Sequence, residues 1–183
     1  MAGIAGSLRK SSYNRALLRA AAELAPAGLS VEIASIDEIP LYNADVEREG
    51  DPPAVAAMKK TIADADGLLV VTPEYNFGVP GVLKNAIDWA SRPARKSVLR
   101  NKPAMILGAS PGMLGTARAQ MQLRQAFVFT ETIVMSQPEV LVARAAEKFD
   151  DELRLTDEKT RAHLAKALEA FAEWIRKWQA PPR

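Results

Sequence analysis

Apolar and polar positions follow two different periods along the chain. Five segments have the apolar content or the two-residue alternation of β-strands, namely residues 2–5, 29–33, 68–71, 104–107 and 132–135. The segment at 68–71 is apolar at every position, which is typical of a central parallel strand covered on both faces. Residues 140–142 are a candidate continuation of the fifth strand.

Segments with helical periodicity separate the predicted strands. They cover residues 12–25, 52–65, 80–91, 115–129 and the stretch from 156 onward. Pro26 and Gly28 end the first helix, and Thr156 is placed to cap the last. Residues 37–50 predict a loop. Strands that alternate with helices predict an α/β fold, a doubly wound five-stranded parallel sheet with helices on both faces. We expect one domain over residues 1–183.

Charge and hydropathy exclude several classes of partner. The net charge is +2, too small to recruit nucleic acid or anionic lipid by its field. No apolar run approaches the roughly 20 residues that span a bilayer. The start of the chain is too short and uncharged for a signal peptide, so we expect a cytoplasmic protein. The first strand begins directly at the N-terminus, from which we expect a trimmed start.

Cysteine is absent, and His163 is the one histidine. Disulfides, thiolate nucleophiles and multi-histidine metal sites are therefore excluded. If the protein carries out redox chemistry, the electrons must pass through a bound organic cofactor.

The predicted loop at 6–14 has the composition of a phosphate site. It combines serine hydroxyls, Arg9, Lys10 and the open backbone amides of a helix N-terminus, all of which favour an anion. It lies after the first strand, at the carboxyl edge where doubly wound sheets bind ligands. Neither the P-loop pattern nor G-x-G-x-x-G is present. A capped helix with solvated charges is the alternative.

The predicted loop at 72–80 directly follows the most buried strand and mixes prolines and aromatic residues with Glu74 and Asn76. A flat heterocycle needs apolar cover on its faces and donors or acceptors at its edge, and this loop offers both. The alternative is a rigid turn with Tyr75 or Phe77 packed inward. A third loop, at 108–115, contains small residues that permit close approach of the backbone to a ligand.

Three stretches together resemble the NADPH-dependent FMN reductase family, including its chromate and quinone reductase members. They are G-S-L-R-K-S-S-Y-N-R at 6–15, I-P-L-Y-N-A-D at 39–45 and T-P-E-Y-N-F-G-V-P-G-V-L-K-N-A-I-D-W at 72–89. Their order and spacing match over nearly the whole chain, and the last is the most specific. The resemblance implies a flavodoxin-like fold that binds FMN, with NADPH or NADH as the electron donor.

By matching position, the resemblance implies contacts to FMN from all three loops. Residues of the first would surround the phosphate and ribityl chain, those of the second would line the isoalloxazine, largely through backbone groups, and one residue of the third would close the remaining side. They are Ser7, Arg9, Ser12, Tyr13 and Asn14, then Pro73, Glu74, Tyr75, Asn76 and Phe77, and last Ser110. Hydride would pass from the nicotinamide through flavin N5 to the acceptor. The first half of this transfer, from the nicotinamide to flavin N5, needs no side-chain acid or base, so we predict no catalytic side chain. The lack of cysteine and the single histidine predict no metal site.

The implied function is reduction of a small-molecule acceptor, such as a quinone, chromate, an azo dye or free flavin. The main alternative is a flavodoxin-type electron carrier that serves protein partners. Such carriers are usually strongly acidic, whereas this chain is close to neutral. A regulatory or structural protein that keeps FMN without turnover is a third reading.

The predicted helix at 80–91 has an unusually apolar face made of Val82, Ala86, Trp89 and Ala90. We favour a subunit interface there, and core packing is the alternative. Together with the resemblance, this face predicts a homodimer or a homotetramer.

Overall fold

The computed structural model describes residues 1–179, in which a parallel β-sheet lies between two layers of helices. Its strands are β1 (Ala2–Ala5), β2 (Glu32–Ile33), β3 (Leu68–Val71), β4 (Pro103–Ala109), β5 (Ile133–Val134) and β6 (Val140–Val142). Their order is β2-β1-β3-β4-β5, β6 also pairs with β4, and every pair is parallel. This is the strand order of flavodoxin-like sheets, so the predicted fold class is confirmed.

Helices α1 (Tyr13–Glu23), α2 (Ala44–Glu49), α3 (Pro53–Asp64), α4 (Gly81–Ala90) and α5 (Ala117–Phe129) connect the strands, and α6 (Glu158–Gln179) follows the last strand. A short 3-10 helix, Ala145–Glu147, follows β6. Within residues 1–179 no helix combines the length and the apolar character needed to cross a membrane.

A separate apolar cluster covers each face of the sheet. On one face α1 and α6 contribute Leu17 and Phe171, and on the other α3, α4 and α5 contribute Met58, Trp89 and Phe127, all buried. The side chains of β3 alternate between the two clusters because successive residues of a strand point to opposite faces. That alternation explains why β3 is apolar at every position.

The predicted fifth strand is split in two. β5 pairs with Pro103 and Ala104 at the start of β4, whereas β6 pairs with residues 107–109 at its end. The residues between them include Pro138, which has no N–H to donate to a ladder. The sequence correctly predicted that both 132–135 and 140–142 contain strand residues, but it did not predict the break between them. β2 has two residues and is shorter than the predicted 29–33.

The predicted loop at 37–50 contains the short helix α2. Asn43 caps this helix, because its side-chain oxygen accepts the N–H of Asp45 at 2.8 Å. None of its residues is buried, so no hydrophobic period marked it in the sequence. Asp51, just after it, pairs with Lys59 of α3 at 2.7 Å, and Lys59 is buried. The ion pair between Asp51 and Lys59 therefore holds the C-terminal end of this segment against α3.

The apolar face of α4 packs inside the chain, and its assignment to a subunit interface is wrong. Ala86, Trp89 and Ala90 are buried in the second apolar cluster. The indole N–H of Trp89 donates to the carbonyl of Pro40 at 2.8 Å, and the ring of Tyr42 meets the indole edge-on at 5.1 Å. The 37–52 segment thus covers the apolar face of α4, for which the sequence pattern indicated no covering element within the chain.

Candidate functional site

The loops after β1, β3 and β4 meet at the carboxyl edge of the sheet. We call residues 6–14 the first loop, 72–80 the second loop and 108–115 the third loop. The N–H of Gly6 donates to the carbonyl of Val71 at 2.8 Å, and the N–H of Thr72 donates to that of Leu107 at 2.9 Å. These bonds extend the strand ladders into the loops, so the three predicted segments are neighbours in space.

Open backbone amides characterise the first loop. Within residues 1–179, the N–H groups of Leu8, Lys10 and Ser11 donate to no acceptor, and they precede the N-terminus of α1. Ser12 caps this helix, since its hydroxyl oxygen accepts two backbone N–H groups, at 3.2 and 3.4 Å. The guanidinium of Arg9 is exposed and donates to the hydroxyl of Ser11 at 3.1 Å. Such an arrangement attracts anions.

The other hydroxyls and the tyrosine of the first loop are partly used by the protein itself. Ser7 is buried, and its oxygen lies 3.4 Å from the backbone nitrogen of Arg9. The ring of Tyr13 packs against Phe149 with centroids 5.4 Å apart, and the Arg9 guanidinium lies 5.9 Å from the Tyr13 centroid. The Tyr13 ring therefore lies between Phe149 and the Arg9 guanidinium.

Asn14 joins the first loop to the end of β4. Its side-chain nitrogen donates to the carbonyl of Ala109 at 2.9 Å, and its side-chain oxygen accepts the Ala109 N–H at 2.9 Å. The residue is buried. The amide group of Asn14 is thus engaged by the backbone, which gives this residue a bracing role between loops 95 residues apart.

A tight turn forms the centre of the second loop. The backbones of Tyr75 and Gly78 exchange two hydrogen bonds, of 3.1 and 3.0 Å. Between them Asn76 and Phe77 have φ angles of 51° and 64°, a region that is uncommon for asparagine and unfavourable for phenylalanine. Their N–H groups meet no acceptor in the described part of the chain. Strain of this kind is concentrated at functional sites.

The aromatic side chains of this turn point outward, so the alternative of an inward-packed turn does not hold. Phe77 is 70% exposed and Tyr75 is 52% exposed. The guanidinium of Arg118, on α5, lies 3.8 Å from the centroid of the Phe77 ring. Pro73 is buried at the base of the loop, where its carbonyl accepts the Thr72 hydroxyl at 2.8 Å.

Glu74 turns away from the crevice and binds the start of α5. One carboxylate oxygen accepts the backbone N–H groups of Arg118 and Ala119 at 3.0 and 3.1 Å. The other lies 3.6 Å from the Arg118 guanidinium. Gln122, also on α5, accepts the N–H of Val79 at 2.7 Å. The sequence did not reveal that Arg118 and Gln122 hold the second loop, because helical periodicity carries no information about contacts to a distant loop.

The third loop is fixed by its own hydrogen bonds. The hydroxyl of Ser110 accepts the N–H of Gly112 at 3.0 Å, and the Ser110 carbonyl accepts the N–H of Ala145. A Cβ at Gly108 would lie 1.8 Å from the hydroxyl oxygen of Thr116 and 2.5 Å from the carbonyl of Thr72. A side chain at position 108 would collide with Thr116 and Thr72, so the packing of the protein itself explains the glycine. Gly108 therefore gives no support to the prediction that small residues of the third loop make room for a ligand.

A cleft of about 280 Å³ lies elsewhere on the protein, between α1 and the end of β2. Leu18, Ile33 and Asp37 are among its lining residues, and none of the predicted site residues is. The candidate site is an open crevice formed by backbone amides, outward aromatic rings and the exposed guanidinium groups of Arg9 and Arg118. Its donor set suits a flat ring with a terminal phosphate, so FMN fits the residues present.

Comparison with known proteins identifies the family. The family model of NADPH-dependent FMN reductases matches residues 1–147. The chain belongs to this family. The match confirms the resemblance to this family, the assignment as an FMN-dependent oxidoreductase and the cofactors FMN and NAD(P)H.

Individual relatives agree with the family. The chain is 51% identical over 175 residues to the NAD(P)H-dependent FMN reductase of Pseudomonas aeruginosa, across 96% of this chain and 94% of that protein. It is 45% identical over 177 residues to the 2-hydroxy-1,4-benzoquinone reductase of a Burkholderia species, across 96% of each. Among solved structures, FerB, the flavoenzyme NAD(P)H:(acceptor) oxidoreductase of Paracoccus denitrificans, superposes with a TM-score of 0.88 at 39% identity, across 96% of each chain.

Proposed function

We propose that this chain, as a single domain in the cytoplasm, uses one FMN at the carboxyl edge of its sheet to reduce quinones and related small acceptors with electrons from NADPH or NADH. The observation that carries the proposal is the presence at that edge of two sets of backbone N–H groups without an acceptor in residues 1–179, those of residues 8, 10 and 11 and those of 76–77. Bound FMN supplies the transfer of hydride from the nicotinamide to the acceptor. The residues of the chain bind and orient the cofactor.

The first loop would hold the phosphate. Its open amides and the positive end of the α1 dipole favour an anion, and the exposed guanidinium of Arg9 adds one formal charge. Ser12 uses its oxygen lone pairs to cap α1, so its hydroxyl proton is free to donate to a phosphate oxygen. Ser7 and Tyr13 would border the ribityl chain. Asn14 would act indirectly by bracing the loop against Ala109.

The second loop would hold the ring. Tyr75 and Phe77 offer apolar cover, while the N–H groups of Asn76 and Phe77 offer donors to the edge of the heterocycle. Donors fixed in place before the reaction stabilise negative charge that accumulates on the reduced ring. Pro73 would shape the base of this wall, and the hydroxyl proton of Ser110 would close the third side.

Steady-state oxidation of NADPH and of NADH tests the function. Each nucleotide is supplied with benzoquinone, 2-hydroxy-1,4-benzoquinone, an azo dye, chromate or free FMN. The flavin-free protein is the matched control for every acceptor except free FMN, which would refill the site. We expect quinone-dependent oxidation that requires bound FMN. A protein that takes up FMN but oxidises neither nucleotide with any acceptor would contradict the enzyme and support the electron carrier.

We also infer that the protein is a homodimer or a homotetramer that assembles through α5, since the α4 face lies in the core. Val128 and Phe129 of α5 are 77% and 80% exposed, and Met121 is exposed beside them. Clefts of about 360 and 500 Å³ run along this helix. Apolar exposure of this extent is typical of an interface. A second copy seated there would border the second loop, because Gln122 of the same helix contacts that loop.

Sedimentation tests the assembly. We expect at least twice the mass of one chain at micromolar concentration, and Val128→Glu should lower it to that of one chain. Val46→Glu, at an exposed valine of α2, is the matched control and should leave the mass unchanged. A single-chain mass for the wild type would contradict the inference.

A further inference from the structure

α5 begins without a cap of its own. Thr116, at the N-cap position, has a φ of 74° and makes no capping hydrogen bond with its side chain. Its hydroxyl instead accepts from the side chain of Gln120 at 3.2 Å. The first turn of α5 contains no acidic residue. The first N–H groups of a helix have no partner inside it, so α5 requires an acceptor from elsewhere.

Glu74 is that acceptor, although it lies 44 residues earlier in the sequence. One of its oxygens caps the N–H groups of Arg118 and Ala119, as described above, and its side chain is only 11% exposed. The other oxygen faces the guanidinium of Arg118. A negative charge at a helix N-terminus is stabilised by the helix dipole.

A second contact holds the other end of the same turn. Gln122 lies about one helical turn after Arg118 and Ala119, on the same helix. It accepts the N–H of Val79, and a Cβ at Gly78 would lie 2.8 Å from its side-chain oxygen. The strained residues Asn76 and Phe77 thus lie between two contacts to α5, one from Glu74 before them and one from Val79 after them.

We propose that Glu74 is a positioning residue that clamps the 75–78 turn to the N-terminus of α5 and so holds the free amides of Asn76 and Phe77 in place for the isoalloxazine. This role rests on the proposed binding of FMN in the crevice. Both oxygens of Glu74 are occupied by α5. Glu74 therefore acts through the turn and does not contact the reacting atoms.

Three variants separate this clamp from a general loss of stability. Glu74→Ala removes both contacts that Glu74 makes with α5, namely the cap on the Arg118 and Ala119 N–H groups and the pairing with the Arg118 guanidinium, and it leaves the Gln122 contact in place. Glu74→Gln keeps one oxygen that accepts the Arg118 and Ala119 N–H groups, but it replaces the oxygen facing the Arg118 guanidinium with an NH2 group, so it loses the charge and that pairing. Asp157→Ala is the matched control, because Asp157 accepts the backbone N–H of Thr160 at 2.8 Å at the start of α6 and makes no contact with the second loop. It removes a capping carboxylate without touching the turn.

Hydrogen exchange in the flavin-free protein measures the clamp directly. We expect Glu74→Ala to raise the amide exchange rate of peptides covering 75–79 and 117–122 about fivefold, the change that corresponds to the loss of one helix cap, and Glu74→Gln to restore part of the protection. Asp157→Ala should leave both peptides as in the wild type. Unchanged exchange in 75–79 of the Glu74→Ala variant would overturn the proposal.

Flavin affinity measures the consequence. Loss of a helix cap corresponds to about 1 kcal/mol, so we expect Glu74→Ala to weaken FMN and riboflavin equally, each about fivefold. The equal loss follows because the turn faces the ring, which both ligands share. A loss confined to FMN, or the same loss in Asp157→Ala, would refute the assigned role. If the wild type bound no flavin, the proposed function would fail while the exchange experiment still decided whether the clamp exists.

Discussion

Removal of the Arg9 guanidinium is expected to weaken FMN far more than riboflavin. This side chain is exposed, and within residues 1–179 its one hydrogen-bond partner is the hydroxyl of Ser11 at 3.1 Å. Arg9→Ala should therefore change the free energy of unfolding by no more than about 0.5 kcal/mol. A bond between a charged donor and a phosphate contributes about 1.5–3 kcal/mol. Exposure to solvent places the value for Arg9 at about 1–2 kcal/mol.

Such a loss corresponds to a dissociation constant for FMN that is about 5- to 30-fold higher. Titration calorimetry of the flavin-free protein with FMN and with riboflavin measures it, because riboflavin lacks the phosphate. Arg19→Ala is the matched control, since Arg19 is an exposed arginine of α1 outside the first loop. The difference between FMN and riboflavin should shrink as salt is added. Equal losses for the two ligands, or an equal effect of Arg19→Ala, would refute a phosphate contact by Arg9.

Three further outcomes follow from the structure. Asn14→Ala leaves the buried N–H and carbonyl of Ala109 without partners and should lower the free energy of unfolding by about 2–4 kcal/mol, measured by urea denaturation. The hydroxyl and the N–H of Thr160 hold the pKa of Asp157 below its ordinary value of 3.8. The stabilisation by this charged form is therefore present above that value and lost as the pH falls through the lower, folded-state pKa. Asp157→Asn should accordingly lower the melting temperature at pH 7 and make it less sensitive to acid below about pH 4. Denaturation of the purified protein should release FMN, identified by mass spectrometry, and stoichiometric FAD would contradict the assignment.

Local sequence patterns were sufficient for the order of the buried strands and of the longer helices and for the position of the three loops at the site, but not for α2 or for the break between β5 and β6. β3 and β4 are buried on both faces, so their apolar runs are unambiguous. The sequence of 72–80 indicated a ligand site because prolines and aromatic residues directly follow the most buried strand. Both features involve residues that are adjacent in the chain.

The roles of individual side chains depend on contacts that no local pattern contains. Asn14 and Glu74 were both predicted to border the cofactor, Glu74 largely through its backbone. What the sequence did not reveal is that their side chains bind backbone groups 95 and 44–45 residues away. The element that covers the apolar face of α4 likewise could not be predicted from a local pattern. An apolar stripe indicates that a helix is covered, but Trp89 is covered by a segment whose own residues are mostly exposed.

The 37–52 segment has a consequence for how this sequence can change during evolution. Surface connections ordinarily tolerate insertions and deletions, but Pro40 and Tyr42 cover Trp89, and Asp51 binds Lys59. A change in the length of this segment would remove one of these contacts and expose an indole to water. Length variation among descendants of this chain should therefore be rare at 40–51. It should instead accumulate at 93–96, where the side chains are exposed and no apolar helix depends on them for cover.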